Sequence, residues 1–133
     1  MTDLGYTDIS VAQGITTAVA QTRAQLLKDL AQESYAIAVS KGWEEDAKAR
    51  TFGDECTLLH SEISEAFEAF RRRGFDSWEG PDGKPEGVAS EFADLFIRLL
   101  HYCYVHKIDL QAEYDRKTKY NYTRAYRHGG KRL

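Results

Sequence analysis

The sequence predicts an all-α protein, a helical bundle. Both prolines, Pro81 and Pro85, fall in one short stretch and leave long proline-free segments on either side. Apolar residues recur at helical spacing within those segments. No stretch alternates at period two for long enough to make a strand.

Each element follows from local signals. Up to about Thr22 the pattern is weak, and residues 1–22 are set apart as an N-terminal segment of unassigned role, with the domain proper at 23–133. The first helix is predicted from about Arg23 to Lys41, stopped by Gly42. The second runs from about Gly53 to Arg73 before Gly74, and Arg71, Arg72 and Arg73 suit its negative C-terminal end. A turn-rich loop, Phe75 to Pro85, contains Gly80-Pro81-Asp82-Gly83. The third helix is predicted over about Gly87 to His106. Asp109 is a plausible N-cap for a fourth that extends to about Tyr126, short of Gly129-Gly130.

Composition bounds the function. At 133 residues, 42% hydrophobic and 29% charged, the chain reads as one globular domain with no repeat and no low-complexity tract. Its most apolar run, Phe92 to Val105, is broken by Asp94, Arg98 and His101, so no membrane span is expected. Met1 to Ser10 lacks the basic start and apolar core of a secretory signal, and Cys56 and Cys103 are too few for a disulfide framework. Those observations make the cytoplasm the expected location. Residues 116–133 carry seven Lys and Arg and no acid, which leaves 1–115 at −10 within a net charge of −3. Metal cations and phosphate anions could meet where an acidic body adjoins a basic end, although a solvated basic tail gives the same pattern.

Two short motifs carry the candidate chemistry: Glu62-Ile63-Ser64-Glu65 on the second helix and Glu91-Phe92-Ala93-Asp94 on the third. Residues three apart are neighbours on a helix surface, so each motif presents two carboxylates side by side. At about 100° per residue, Leu59, Ile63, Ala66, Phe67 and Phe70 form an apolar stripe with Glu62 at its edge. Val88, Phe92, Leu95, Phe96, Leu99 and Cys103 form the stripe of the third helix, with Glu91 at the same edge. Packing the helices through these stripes as an antiparallel pair would turn four carboxylates toward one cleft. Four crowded carboxylates repel unless protonated or bridged by cations. A set of hard oxygen ligands suits Mg²⁺ or Mn²⁺ rather than Zn²⁺. Such ions polarise phosphate oxygens, lower the pKa of a bound water and neutralise a leaving pyrophosphate. The competing reading is four ordinary surface acids on two amphipathic helices.

The pattern resembles a known family. Glu62-x-x-Glu65, followed after a loop by Glu91-x-x-Asp94, is similar to the metal signature of the MazG-like, all-α nucleotide pyrophosphohydrolases. It lies near Arg50-Thr51-Phe52-Gly53-Asp54-Glu55 and within Leu58-Leu59-His60-Ser61-Glu62-Ile63-Ser64-Glu65-Ala66, with Asp82-Gly83-Lys84-Pro85-Glu86-Gly87 in the connecting loop. The chain closes with Lys117-x-x-x-Asn121-x-x-Arg124 and Arg127-His128-Gly129-Gly130-Lys131-Arg132. The resemblance covers roughly Lys41 to Leu133. It implies Mg²⁺-dependent hydrolysis of nucleoside triphosphates to a monophosphate and pyrophosphate, and a bundle whose core is completed by partner subunits. It also implies a homodimer or homotetramer that clears unwanted or noncanonical nucleotides. Carried over by position, Glu62, Glu65, Glu91 and Asp94 become the metal ligands.

Lys117, Asn121 and Arg124 are spaced i, i+4, i+7, so a helix running through them places all three on one face, where they could hold phosphate oxygens or the sugar. Lys131 and Arg132 are weaker candidates of the same kind. Trp43, His60, Trp78 and Tyr102 are the candidates for a platform beneath the base. A zinc site drawn from Cys56, His60, His101, Cys103 and His106 lacks a close Cys pair. Di-iron bundles use Glu-x-x-His where this chain has Glu or Asp. The alternative to an enzyme is a helical nucleotide- or nucleic-acid-binding module built on Tyr114, Tyr120, Tyr122, Tyr126 and the interleaved basic residues, but the acidic body would repel a polyanion. Broad apolar stripes on so small a domain point to a homo-oligomer.

Overall fold

The structure, a computed structural model, describes residues 17–126. The expectation of an all-α protein holds: five α-helices and one two-stranded hairpin make up the regular structure of the described residues. The chain divides into two compact units, one of Lys28–Asp109 and one that joins Met1–Leu27 with Leu110–Leu133. No helix among the described residues is long and apolar enough to cross a membrane.

Helix α1, Thr17–Ser40, starts earlier than the hydrophobic pattern suggests. Ala18, Ala20, Ala24, Gln21, Gln25, Leu26 and Leu27 are good helix formers, so propensity carries this first stretch where amphipathic periodicity is weak. Residues 1–16 of the proposed N-terminal segment lie outside the described residues. The helix closes at Gly42, whose φ of 74° is left-handed. A further short helix, α2, Trp43–Ala47, follows at once, and Glu44, Glu45 and Asp46 suit its positive N-terminal end.

Helix α3, Phe52–Arg73, opens on a capping box. Asp54 N–H donates to Thr51 Oγ1 at 3.2 Å and Thr51 N–H donates to Asp54 Oδ2 at 2.7 Å. The three arginines of its last turn are where the sequence placed them. The turn-rich loop carries a small hairpin: β1, Trp78–Glu79, pairs antiparallel with β2, Pro85–Glu86, around a 3₁₀ turn at Pro81–Gly83. Helix α4 spans Val88–Val105. Helix α5 spans Leu110–Tyr122, four residues shorter than expected at its C-terminal end. The hydroxyl of Thr123 donates to the carbonyl of Tyr120 at 2.7 Å, and such local bonds compete with helix continuation.

The phase of α3 and α4 departs from the expected stripes, and this correction bears on the site. Where the two helices meet, small residues let them approach: Ala66, Ala69 and Val88 are buried together, with Trp78 packed against them. The buried line of α3 runs Glu55, Glu62, Ala66, Ala69, and that of α4 begins Val88, Glu91. The large apolar side chains point elsewhere: Ile63, Phe67, Phe70, Phe92 and Phe96 are exposed, Phe67 by 64% and Phe92 by 54%. Of the expected stripes, Ala66, Val88 and Cys103 are buried and Leu59, Leu95 and Leu99 half-buried, so the stripes hold in part and the contact is rotated toward their small members. Among the described residues no large side chain is completely buried.

Gly87 joins the hairpin to α4 at φ 117°, outside the regions open to L-residues, and a Cβ there would meet Asp76 O at 2.8 Å and Ser77 Cα at 3.2 Å. It therefore sets where α4 begins and where Glu91, whose amide donates to Gly87 O at 3.1 Å, is held. Gly42 has nothing within 4 Å of its Cβ position. Gly87→Ala is expected to cost about 2 kcal/mol or more in urea denaturation, and Gly42→Ala about 1 kcal/mol. Equal costs would show that the approach of residues 76–77 is not a constraint.

Candidate metal centre

Glu62 and Glu65 lie one turn apart on α3, and Glu91 and Asp94 one turn apart on α4. Because the small-residue face of α3 meets the Val88–Glu91 face of α4, the carboxylates are drawn into the contact. Glu62 and Glu91 are each only 5% exposed, while Glu65 stays at the surface and Asp94 is half-buried. Carboxylate oxygens of Glu62, Glu65 and Glu91 lie within 4.8 Å of one another. Among the described residues they form the group of Asp, Glu, His or Cys side chains placed to hold one ion. Asp94 stands beside them and feels the charge of Glu62.

Burial and mutual repulsion act in one direction on this group. Burial, and after it the charge of Glu65, holds the Glu91 carboxyl above the ordinary range of a glutamate. Burial, then the charge of Glu62, does the same to Asp94. Lys84, on the hairpin, pulls both back down, and its own ammonium is raised above its usual value chiefly by Glu86, 3.5 Å away. Arg98 Nε donates to Glu62 Oε1 at 2.6 Å, a charge-assisted bond across the helix pair. The position of Glu91 in the first turn of α4 is a further help, since the helix dipole favours an anion there.

The donor set fits a hard divalent cation. Oxygens bound to Mg²⁺ at about 2.1 Å stand about 3.0 Å apart as neighbours and about 4.2 Å as opposites, so a trio within 4.8 Å has to draw in to share one ion. Nothing softer than oxygen is in the group. The zinc alternative is not assembled: His101 Nε2 donates to Glu44 Oε1, His106 Nε2 donates to Glu55 Oε2 at 2.6 Å, and Cys56 and Cys103 are free thiols. These histidine–glutamate pairs instead tie α2 and the start of α3 to α4.

A cavity of about 350 Å³ opens beside the acids. Glu62, Asp94, Arg50 and Arg98 give it a charged side, and Ile37, Ala38, Ile97, Trp43, His101 and Tyr102 give it an apolar and aromatic side. Tyr102 is 5% exposed, and among the described residues its hydroxyl interacts only with the neighbouring Arg98 guanidinium, without a well-formed hydrogen bond. Of the four aromatic candidates for a base platform, Trp43 and Tyr102 line this cavity. Trp78 instead lines a smaller hollow with Glu65, Glu91, Lys84 and Glu86, and His60 is exposed.

Lys117 and Asn121 lie on α5, in the other unit, and Arg124 lies in the turn beyond the end of that helix, so the three do not share one continuous helical face. Lys131 and Arg132 fall outside the described residues. In that unit Arg23 sits 3.9 Å from Asp115 and 5.5 Å over the ring of Tyr114. Sequence reasoning missed Arg98 and Lys84. Arg98 was within reach of it, because Val88, Glu91, Leu95, Arg98 and Tyr102 repeat at heptad-like intervals on α4. Comparison of the chain with protein-family models, with curated proteins and with solved structures returned no match, so geometry and chemistry carry the functional reading.

The raised pKa values make a linkage prediction with a definite sign. Between the usual carboxylate pKa values and the raised ones, the folded form binds more protons than the unfolded chain, so stability falls as pH rises through that window. In the presence of EDTA, the urea midpoint should rise as pH is lowered from neutrality through the raised values. The Glu91→Gln, Asp94→Asn double variant should be stabler at neutral pH and show a flatter profile. Superimposable pH profiles would show that the acids are not strained in the metal-free fold.

Proposed function

We propose that the protein is a MazG-like, Mg²⁺-dependent nucleoside triphosphate pyrophosphohydrolase that releases a nucleoside monophosphate and pyrophosphate. The observation that supports this most is the meeting of Glu62, Glu65 and Glu91 oxygens within 4.8 Å, with Glu62 and the neighbouring Asp94 also lining a cavity with an aromatic wall. The four acids that carry the resemblance lie on α3 and α4, on either side of the loop that holds Lys84.

On this reading Glu62, Glu65, Glu91 and Asp94 hold Mg²⁺, with Mn²⁺ able to replace it. The bound ion supplies charge neutralisation on the phosphates and a more acidic water. The chain's own residues do the rest. Trp43 and Tyr102 flank the space for the base, and at about 350 Å³ the cavity is at the small end for ligand pockets, suited to one nucleoside. Arg50, Arg98 and Lys84 bring positive charge to the same region, where the oxygens of a polyphosphate need partners. Water adds to phosphorus, the anhydride bond between the α- and β-phosphates breaks, and pyrophosphate leaves. Lys117, Asn121 and Arg124 are proposed as substrate contacts on the sequence pattern alone. The activity fits the clearing of unwanted or noncanonical nucleotides in the cytoplasm.

The test is pyrophosphate release from a panel of nucleoside triphosphates with and without Mg²⁺, products separated by chromatography. Glu65→Ala and Asp94→Ala should each lose about 100-fold or more in kcat/KM, since even outer-shell changes around metals cost 10–100-fold. Glu68→Ala, which removes an acid paired to Arg71 and Arg72, should stay near wild type. Mg²⁺ at about a hundred times its Kd should add about 2.7 kcal/mol of stability to the wild type and little to Glu65→Ala. Stepwise orthophosphate release, or equal activity in Glu65→Ala and Glu68→Ala, would overturn the assignment.

We further propose a homodimer or homotetramer, in which Ile63, Phe67, Phe92 and Phe96 meet a second copy. Light scattering should give a multiple of 15.1 kDa at micromolar concentration, and a Phe67→Asp, Phe92→Asp double variant should lower that mass. A monodisperse wild-type monomer would sink the proposal.

A further inference from the structure

The proposed metal site already contains a cation of its own. Arg98 is one turn beyond Asp94 and two beyond Glu91 on α4, and its Nε–H donates to Glu62 Oε1 at 2.6 Å. That oxygen belongs to the most buried pair of acids in the trio that converges within 4.8 Å. A divalent ion bonded to the same carboxylate would stand within a few ångströms of the guanidinium, and two positive charges at that range in a partly buried site repel strongly. Arg98 also lines the cavity of about 350 Å³, next to Tyr102, whose buried hydroxyl makes no other hydrogen bond among the described residues and already acts on the guanidinium. The guanidinium thus has a second contact inside the same cavity, besides Glu62.

We infer that Arg98 is a resident counter-cation that Mg²⁺ displaces from Glu62, and that the displaced guanidinium turns into the cavity, toward Tyr102, to hold a phosphate group. The inference rests on the metal reading of the four acids and goes beyond it. In the metal-free fold the Arg98 Nε–H is spent on Glu62, whose carboxylate offsets the charge an anion would meet. Once the ion is seated, the arginine becomes available beside it. Metal and phosphate binding are thereby coupled through one side chain, and the coupling is reciprocal.

Two measurements test this on the full chain. Titration calorimetry with Mg²⁺ alone should show that Arg98→Gln binds the ion about fivefold or more tightly than wild type, because the competitor is gone. In the wild type, the ¹H–¹⁵N signal of the Arg98 side-chain Nε–H, assigned by its loss in Arg98→Gln, should shift as Mg²⁺ is added, with the affinity that calorimetry gives. It should move again when inorganic pyrophosphate is added to the Mg²⁺-saturated protein. An Arg98 signal that ignores saturating Mg²⁺, or an Arg98→Gln protein that binds Mg²⁺ no more tightly, overturns the exchange. A signal that responds to Mg²⁺ but not to pyrophosphate overturns the phosphate role. If Arg98→Gln does not fold, selective arginine labelling with assignment through the backbone leaves the wild-type arm decisive. A wild type that takes up no Mg²⁺ overturns the metal reading itself.

Discussion

Two carboxylates buried between two helices set the terms for the rest of this structure. Placing Glu62 and Glu91 in the contact of α3 with α4 costs desolvation, and setting Glu65 and Asp94 beside them adds repulsion. Apolar residues at those positions would give a stabler helix pair, as replacements of buried ionic groups elsewhere indicate. The site is therefore a strain that the surrounding chain has to offset.

The offsets can be named. Lys84 reaches the group from a hairpin whose only regular structure is two paired residues on each side. That hairpin is pinned to α4 by Gly87, where no side chain fits, and to α3 by Trp78, which packs on Ala66, Ala69 and Val88 and carries Arg73 over its ring at 4.8 Å. Arg98 answers Glu62 directly. Away from the acids, His101 with Glu44 and His106 with Glu55 fix α2 and the start of α3 against α4. The frame around the site is thus held by polar pairs and small residues, and the large apolar side chains are left for other surfaces.

Much of this was legible in the sequence, and what was not failed for physical reasons. The helix-stopping glycines, the proline-bearing turn and the four acids at i, i+3 spacing are local signals, and α3, α4 and the meeting of the acids follow from them. The helix phase was legible only in part, because the periodic stripes hold Ala66 and Val88 but also Phe67 and Phe92, which the contact leaves exposed. Only knowledge of what else the helices touch separates those two faces. The start of α1 was obscured because propensity, not periodicity, carries it. The position of Arg124 was misjudged because a threonine hydroxyl ends α5 at a point where the basic spacing alone suggested continuity. The spacing that puts Arg98 on the face of Glu91 was there to be read, but which acid it meets follows only once Glu62 is placed opposite.

The two faces of α3 and α4 can be understood as one arrangement. Each helix has an acidic, small-residue face turned to its neighbour and a face of phenylalanine and isoleucine turned outward. The first is satisfied by positive charge and the second by burial of apolar surface, and the described residues supply neither in full. On the proposed reading a cation completes one face and a second copy of the chain completes the other. Both ligands then bind the folded form alone, and each adds to the stability of the same pair of helices. The strain at the acids need not be relieved by the chain's own packing, which is why Glu62 and Glu91 can occupy positions that an isolated helix pair would fill with leucine or valine. The same argument explains why ordinary amphipathic reasoning drew Phe67 and Phe92 into the contact. It assumes that a helix has one face to hide, and these helices have two.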